Sequence, residues 1–335
     1  MRDYHRPMAL FAIVIALLLE QVRPLAPGNP AAAGLLRWVR AVGRNVDAGG
    51  LHHGWLAWTL AVGVPTLATI GVHGLLIWLG GWPLALLWAV LVLYLTLGFR
   101  QFSHHFTGIR DALETGDEER ASELLARWQQ VDASALPRSE IVRHAIEYSV
   151  LAAHRHVFGV LVWFCLLAMM GLGPAGAVFY RNADFVRRYW DHKARATDHP
   201  ASPALCQTAD QAWWVIDWLP VRMTALGFAI VGSFEDAIDV WRNHAARFAD
   251  ANDGVLLAAT AGAMGVRLGG AAVKPLTPDV AGPVTAATGA APAGDGLPGE
   301  PPRSAHFAQV IGLVWRMVAL WLLLLVLMTL AHVLG

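Results

Sequence analysis

Residues 54–79 read GWLAWTLAVGVPTLATIGVHGLLIWL, a run without a single Asp, Glu, Lys or Arg. A bilayer core about 30 Å thick needs about 20 apolar residues in a helix, and this stretch passes that test. Three more pass it: 82–99, which follows a Gly-Gly turn, 157–180, and 310–334, which Arg316 interrupts near its start. Trp55, Trp58, Trp78, Trp82 and Trp163 stand at or near segment ends, as an aromatic belt does. The expected fold class is all-α: a polytopic helical membrane protein with a small cytoplasmic helical unit and a broken or re-entrant intramembrane segment.

Composition agrees. Of 335 residues, 56% are hydrophobic and only 15% charged, where a soluble domain carries about 25% charge. Lys+Arg and Asp+Glu are both 25, so no field of one sign exists to attract a phosphate polymer, and nucleic acid is excluded as a partner. Two cysteines, Cys165 and Cys206, exclude a disulfide scaffold and a Cys-rich zinc site. The lipid bilayer is the expected partner.

Two segments are harder to read. The run 8–19 is short for a span. Arg2 and Arg6 precede it as they would a signal peptide, but Glu20, Gln21, Arg23 and Pro24 follow where a cleavage site would need small residues. It reads as an uncleaved short or tilted segment, or as an interfacial helix. The run 213–232 is apolar yet carries Asp217, Pro220 and Arg222. A charge at the bilayer centre costs roughly 2.5–3.5 kcal/mol on insertion scales, so this run is expected to break at Pro220 and line a protein-walled cavity. Asp217 and Arg222 would then turn into one hydrated pocket.

The loops set orientation. Residues 100–156 hold seven Arg and residues 20–53 hold four; the positive-inside rule places both in the cytoplasm. Within 100–156, Gly116 suits a C′ position and Asp117 an N-cap, with Glu118 and Glu119 in the first turn. Ala121, Leu124, Leu125 and Trp128 form one apolar stripe. Pro137 breaks the chain, and a second helix starts near Ser139. Residues 271–302 are Ala, Gly, Pro and Thr with scarcely a large apolar side chain, and are expected to be a flexible linker to a last span within 303–335.

Among candidate sites, the histidine pairs lack the i, i+4 spacing of helical zinc ligands, and no metal site is expected. Glu140, Arg143 and Glu147 could do acid–base work or hold a substrate; the competing reading is an i, i+3, i+4 ion-pair ladder on a solvated face. Asp217 and Arg222 are the strongest positional signal, because intramembrane ionisable groups are functional candidates by default. The competing reading there is a structural pair. The Gly-rich piece 171–176 has neither the Lys nor the strand context of a nucleotide loop.

The order of polar motifs resembles a family. Arg110-Asp-Ala-Leu113 and Gly116-Asp117 lead to Glu140-Ile-x-Arg143 and Ile146-Glu147. Gly173-Pro-Ala-Gly176 and Tyr180-Arg181 follow, then Asp217-Trp-Leu-Pro-Val-Arg222. Over roughly residues 8–265 this is similar to the CobD/CbiB family of cobalamin-biosynthesis membrane proteins, with a relative in AmpE. The resemblance implies a domain over 1–270 in the bacterial inner membrane. It implies an adenosylcobinamide-phosphate synthase that joins aminopropanol, or its phosphate, to adenosylcobyrate through an amide, using ATP and Mg. On that footing Glu140, Glu147 and Asp217 are the catalytic candidates. Arg143, Arg181, Arg222 and Asp184 are the substrate-binding ones, for a corrinoid or other anionic small molecule. The chain departs from the family pattern at Gln130-Val-Asp132-Ala133, at Leu151-Ala-Ala-His-Arg-His156 and at Asn182-Ala-Asp184, where carboxylates and amides are lost. Two alternatives therefore stand beside an active synthase: a catalytically degenerate member, and an AmpE-like membrane sensor linked to cell-wall and β-lactamase regulation.

Overall fold

The computed structural model of the chain describes residues 5–23, 29–129, 132–196, 200–270 and 297–334. The helices are α1 (His5–Val22), α2 (Pro30–Val46), α3 (Leu51–Trp58), α4 (Val64–Thr96), α5 (Phe99–Glu114), α6 (Glu118–Gln129), α7 (Arg138–Ala153), α8 (Gly159–Met169), α9 (Ala175–Ala194), α10 (Pro203–Val231), α11 (Phe234–His244), α12 (Ala251–Met264) and α13 (His306–Leu334). π-turns at Thr59–Gly63 and His154–Phe158 join α3 to α4 and α7 to α8. Among the described residues, β-type pairing is limited to one bridge between Val266 and Glu300. Among the described residues, four stretches are long and apolar enough to cross a membrane: Leu51–Thr96, Arg138–Met169, Pro203–Val231 and His306–Ala331. The expected all-α, polytopic membrane fold is what the chain adopts.

The chain divides into two compact units. One comprises Met1–Arg100, Arg155–Ile216 and Leu322–Gly335; the other comprises Gln101–His154 and Asp217–Trp321. In the first, Leu51–Thr96 has 46 residues, which a straight helix would stretch to about 69 Å, over twice the hydrocarbon thickness. Gly81 resolves this. Its φ of 69° and ψ of −157° are non-helical and open only to glycine without strain. The stretch is two legs, as the Gly-Gly pair suggested, and the exposed rings of Trp78 and Trp82 bracket the turn. α1 packs on α4 and α8, burying Ala12, Ile13 and Ala16. Its apolar part, Ala9–Val22, is about 21 Å long.

The span expected at 157–180 is displaced toward the N-terminus. Its helix begins at Arg138 and ends at Met169. Gly171 and Gly173 take φ of 80° and 61°, and Pro174 caps α9, so residues 175–180 belong to the next helix. That helix returns along α8. Gly176 lies against the Trp163 backbone and Gly159 against the Tyr180 ring, leaving no room for a Cβ at either. The polar residues of α7 hid the true start, because they pair with one another inside the fold.

The break expected at Pro220 does not occur: α10 is one 29-residue helix. Proline removes the N–H that would bond the carbonyl four residues earlier, here that of Ile216. The Trp163 indole N–H donates to that carbonyl at 3.0 Å. With the orphan satisfied, nothing forces the helix to open.

In the second unit the expected helix end at Gly116 and helix start at Asp117 are present. Gly116 has φ of 79°, and the Asp117 carboxylate accepts from Arg120 N–H at 2.9 Å as the N-cap of α6. Ala121 and Leu125 are buried from the stripe. α12 is buried along its whole length from Asn252 to Gly262, packed on α11 with Gly262 against the Asp236 and Ala237 backbone. Of the expected linker, residues 271–296 lie outside the described residues. Its end is tied down: Leu297 N–H donates to the Leu268 carbonyl and Glu300 N–H to that of Gly265, each at 2.8 Å. Arg316, on α13, turns its Nε to the Gly312 carbonyl at 3.2 Å.

Candidate functional site

Three places gather the polar residues. The first is on α7, where positions 140, 143 and 147 share a face by helical spacing. Arg143 Nε donates to Glu140 at 3.0 Å, and Nη1 donates to Glu147 at 3.0 Å. The Gly269 N–H donates to Glu147 at 2.7 Å. The ladder is real but not solvated: Arg143 is 2% exposed, Glu147 0% and Glu140 35%. Only Glu140 is open to an incoming molecule. Arg143 Nη2 also approaches His144 Nε2 at 2.9 Å. Guanidinium has no acceptor, so this imidazole nitrogen must accept and His144 is neutral there.

The second place is buried at the start of the π-turn. His154 Nε2 lies 2.9 Å from Asp217 Oδ1, and His154 Nδ1 lies 2.9 Å from Thr224 Oγ1. Thr224 donates its one hydroxyl proton to the Pro220 carbonyl at 3.0 Å. Nδ1 must then donate to Thr224, and a further proton is shared between Nε2 and Asp217. The histidine and aspartate together are net neutral, the form that burial favours. All three residues are fully buried.

Arg222 does not join Asp217 in a pocket. Without a break, five helical residues set them about 140° apart around the axis. Arg222 donates to the Trp218 carbonyl at 2.9 Å and to Asn252 Oδ1 at 3.3 Å, and its guanidinium lies 4.2 Å from the Trp218 ring centre.

The third place is in the first unit. Arg181 donates to Asp184 Oδ2 at 3.1 Å, and Arg188 donates to the same oxygen. Burial acts to raise the Asp184 carboxyl, but Arg188, Arg181, Arg155 and His156 outweigh it and hold it below the usual carboxylate range. Burial lowers the Arg181 guanidinium, with Asp184 opposing. Two arginines on one carboxylate leave a surplus positive charge. Both line a cavity of about 500 Å³ between α2, α4 and α9, with Asn182, Trp38, Trp88 and Phe185. Trp88 Nε1 and Arg188 Nε are buried donors with no acceptor among the described residues. Such donors call for oxygen acceptors, and the arginines for an anion.

The expected residues thus divide. Glu140, Arg143 and Glu147 meet on α7; Asp217 meets His154; Arg181 and Asp184 meet Arg188 at a cavity. Thr224, Arg188 and Trp88 are not among the residues that the sequence singles out. Arg188 was legible as the i+4 partner of Asp184. His154 falls by spacing on the same helical face as Glu140, Arg143 and Glu147, but that says nothing of a partner 63 residues away. Among the described residues no three His, Cys, Asp or Glu side chains are grouped to hold a metal.

The sequence pattern of the family described as CobD/Cbib protein matches residues 4–293. The chain is 29% identical over 334 residues to the cobalamin biosynthesis protein CobD of Stutzerimonas stutzeri, covering 95% of this chain and 97% of that one. It is 31% identical over 272 residues to the protein of the same name from Chromobacterium violaceum, covering 79% and 82%. A third, from Leptospira interrogans, is 26% identical over 195 residues, covering 56% and 58%. No solved structure matches.

Proposed function

Because the chain belongs to the CobD/CbiB family, we propose that it works in cobalamin biosynthesis in the bacterial inner membrane, as an amide-forming synthase. In this reading it joins aminopropanol or its phosphate to adenosylcobyrate. The observation that carries it is the cavity of about 500 Å³ in which Arg181 and Arg188 outnumber Asp184. That volume suits a small phosphate-bearing molecule and is too small for a whole corrin. Arg188 and Arg181 bring positive charge to the cavity wall, and Asp184 fixes both guanidinium groups. In the other unit, Glu140, the reachable carboxylate of its own cluster, is a separate acid–base candidate. Glu147 and Asp217 act through Arg143 and His154 as positioning groups. ATP, when bound, would supply activation of the corrin carboxylate. The relatives named above favour this reading over a signalling role.

The test is amide formation by the purified protein, followed by mass spectrometry with adenosylcobyrate, aminopropanol phosphate and ATP. Arg188→Gln should raise KM for the phosphate-bearing amine about 10- to 100-fold, the equivalent of a lost charge-assisted hydrogen bond. Unchanged KM would reject the cavity as the substrate site.

A further inference from the structure

The helix α2 carries Arg37, Arg40 and Arg44, which helical geometry places within an arc of about 60°. All three are exposed, and the opposite face is buried at Val39 and Val42. No acidic residue occurs in α2. The nearest carboxylate along the chain, Asp47, accepts from the N–H groups of Gly49 and Ser202. Among the described residues, Arg40 Nε donates to the Tyr189 hydroxyl at 3.4 Å, and none of the three arginines has an ion pair. Two arginines elsewhere are paired: half-buried Arg110 and exposed Arg127 each bond to a carboxylate on their own helix. A bare row of cations repels itself unless something anionic covers it.

The depth of this row follows from the span beside it. The turn at Gly81, with Trp78 and Trp82 exposed beside it, marks one membrane face. About 20 residues of helix cross the hydrocarbon, so the leg leaves it near Leu60. The Trp38 indole donates to the Leu60 carbonyl at 3.3 Å, as an interfacial tryptophan does. From that level α2 runs alongside α3, with Arg37 at the boundary and Arg40 and Arg44 beyond it.

We propose that Arg37, Arg40 and Arg44 of α2 form a docking surface for the phosphates of anionic phospholipids, with Trp38 seated at the edge of the acyl region. Charge complementarity favours phosphate diesters, and the headgroup band is where they are concentrated. This surface is independent of the Arg181–Arg188 cavity.

The experiment measures lipid retained by the full-length protein in nanodiscs of mixed phosphatidylglycerol and phosphatidylcholine, together with thermal stabilisation by each lipid. Wild type should retain phosphatidylglycerol in preference. Substituting Arg37→Gln, Arg40→Gln and Arg44→Gln together should reduce that preference, by about fivefold per arginine removed. The matching triple change to Lys should keep most of it, as should Arg127→Gln, which alters a paired arginine. Soluble glycerol phosphate should not stabilise. Equal lipid preference in the wild type and the triple Gln variant would overturn the proposal. So would loss in the Lys variant, or stabilisation by free glycerol phosphate.

Discussion

Asp217 and His154 are each sealed in the core, so their energetics are set by proton count. With Nδ1 donating to Thr224, His154 Nε2 can accept from an amide as readily as share a proton with a carboxyl. Asp217→Asn should therefore leave stability and activity within a few-fold of wild type. His154→Ala leaves Asp217 buried without its imidazole and should destabilise by about 3–5 kcal/mol. Thermal unfolding beside an activity assay checks both; an inactive but stable Asn variant would make Asp217 chemical rather than positional. Asp184 titrates with a defined sign. Its folded pKa lies below its unfolded value of about 3.9, so its pairing stabilises fully above that value and is lost as pH falls through the folded one. Asp184→Asn should then lower thermal stability more at pH 7 than at pH 3, where the unfolded carboxyl is already largely protonated. An equal loss at both would contradict the assignment.

The element scale shows what the sequence can and cannot tell. Gly-Gly at 80–81 and Gly116-Asp117 were legible because each marks a backbone conformation that few residues allow. Pro220 misled, because a proline states only that an N–H is missing; whether the helix opens depends on who takes the freed carbonyl. Trp163 lies 53 positions from Ile216, and no local pattern connects them. The account predicts that Trp163→Phe keeps the ring but orphans the carbonyl, lowering stability by roughly 1 kcal/mol. A thermal midpoint at or above wild type would mean that the indole N–H is dispensable. The Glu140–Arg143–Glu147 spacing was equally legible, but its burial was not. Burial comes from Gly269 and Gly270, which close over the cluster from a distant part of the chain.

For the whole molecule, composition and run length were enough for an all-helical membrane fold, and motif order was enough for the family. The cavity was not legible, because α2, α4 and α9 bring Trp88 and Arg188 together across 100 positions of sequence. The central proposal joins family to cavity: that this chain makes the amide of cobalamin assembly, holding its phosphate-bearing substrate on Arg181 and Arg188. Growth of a bacterial strain lacking its own CobD, made dependent on cobalamin synthesis, tests this most directly when membrane-inserted protein is quantified alongside. The wild-type chain should restore growth, and the double change Arg181→Gln with Arg188→Gln should not, at equal levels of inserted protein. Failure of a well-inserted wild-type chain to rescue, or full rescue by the double variant, would contradict it.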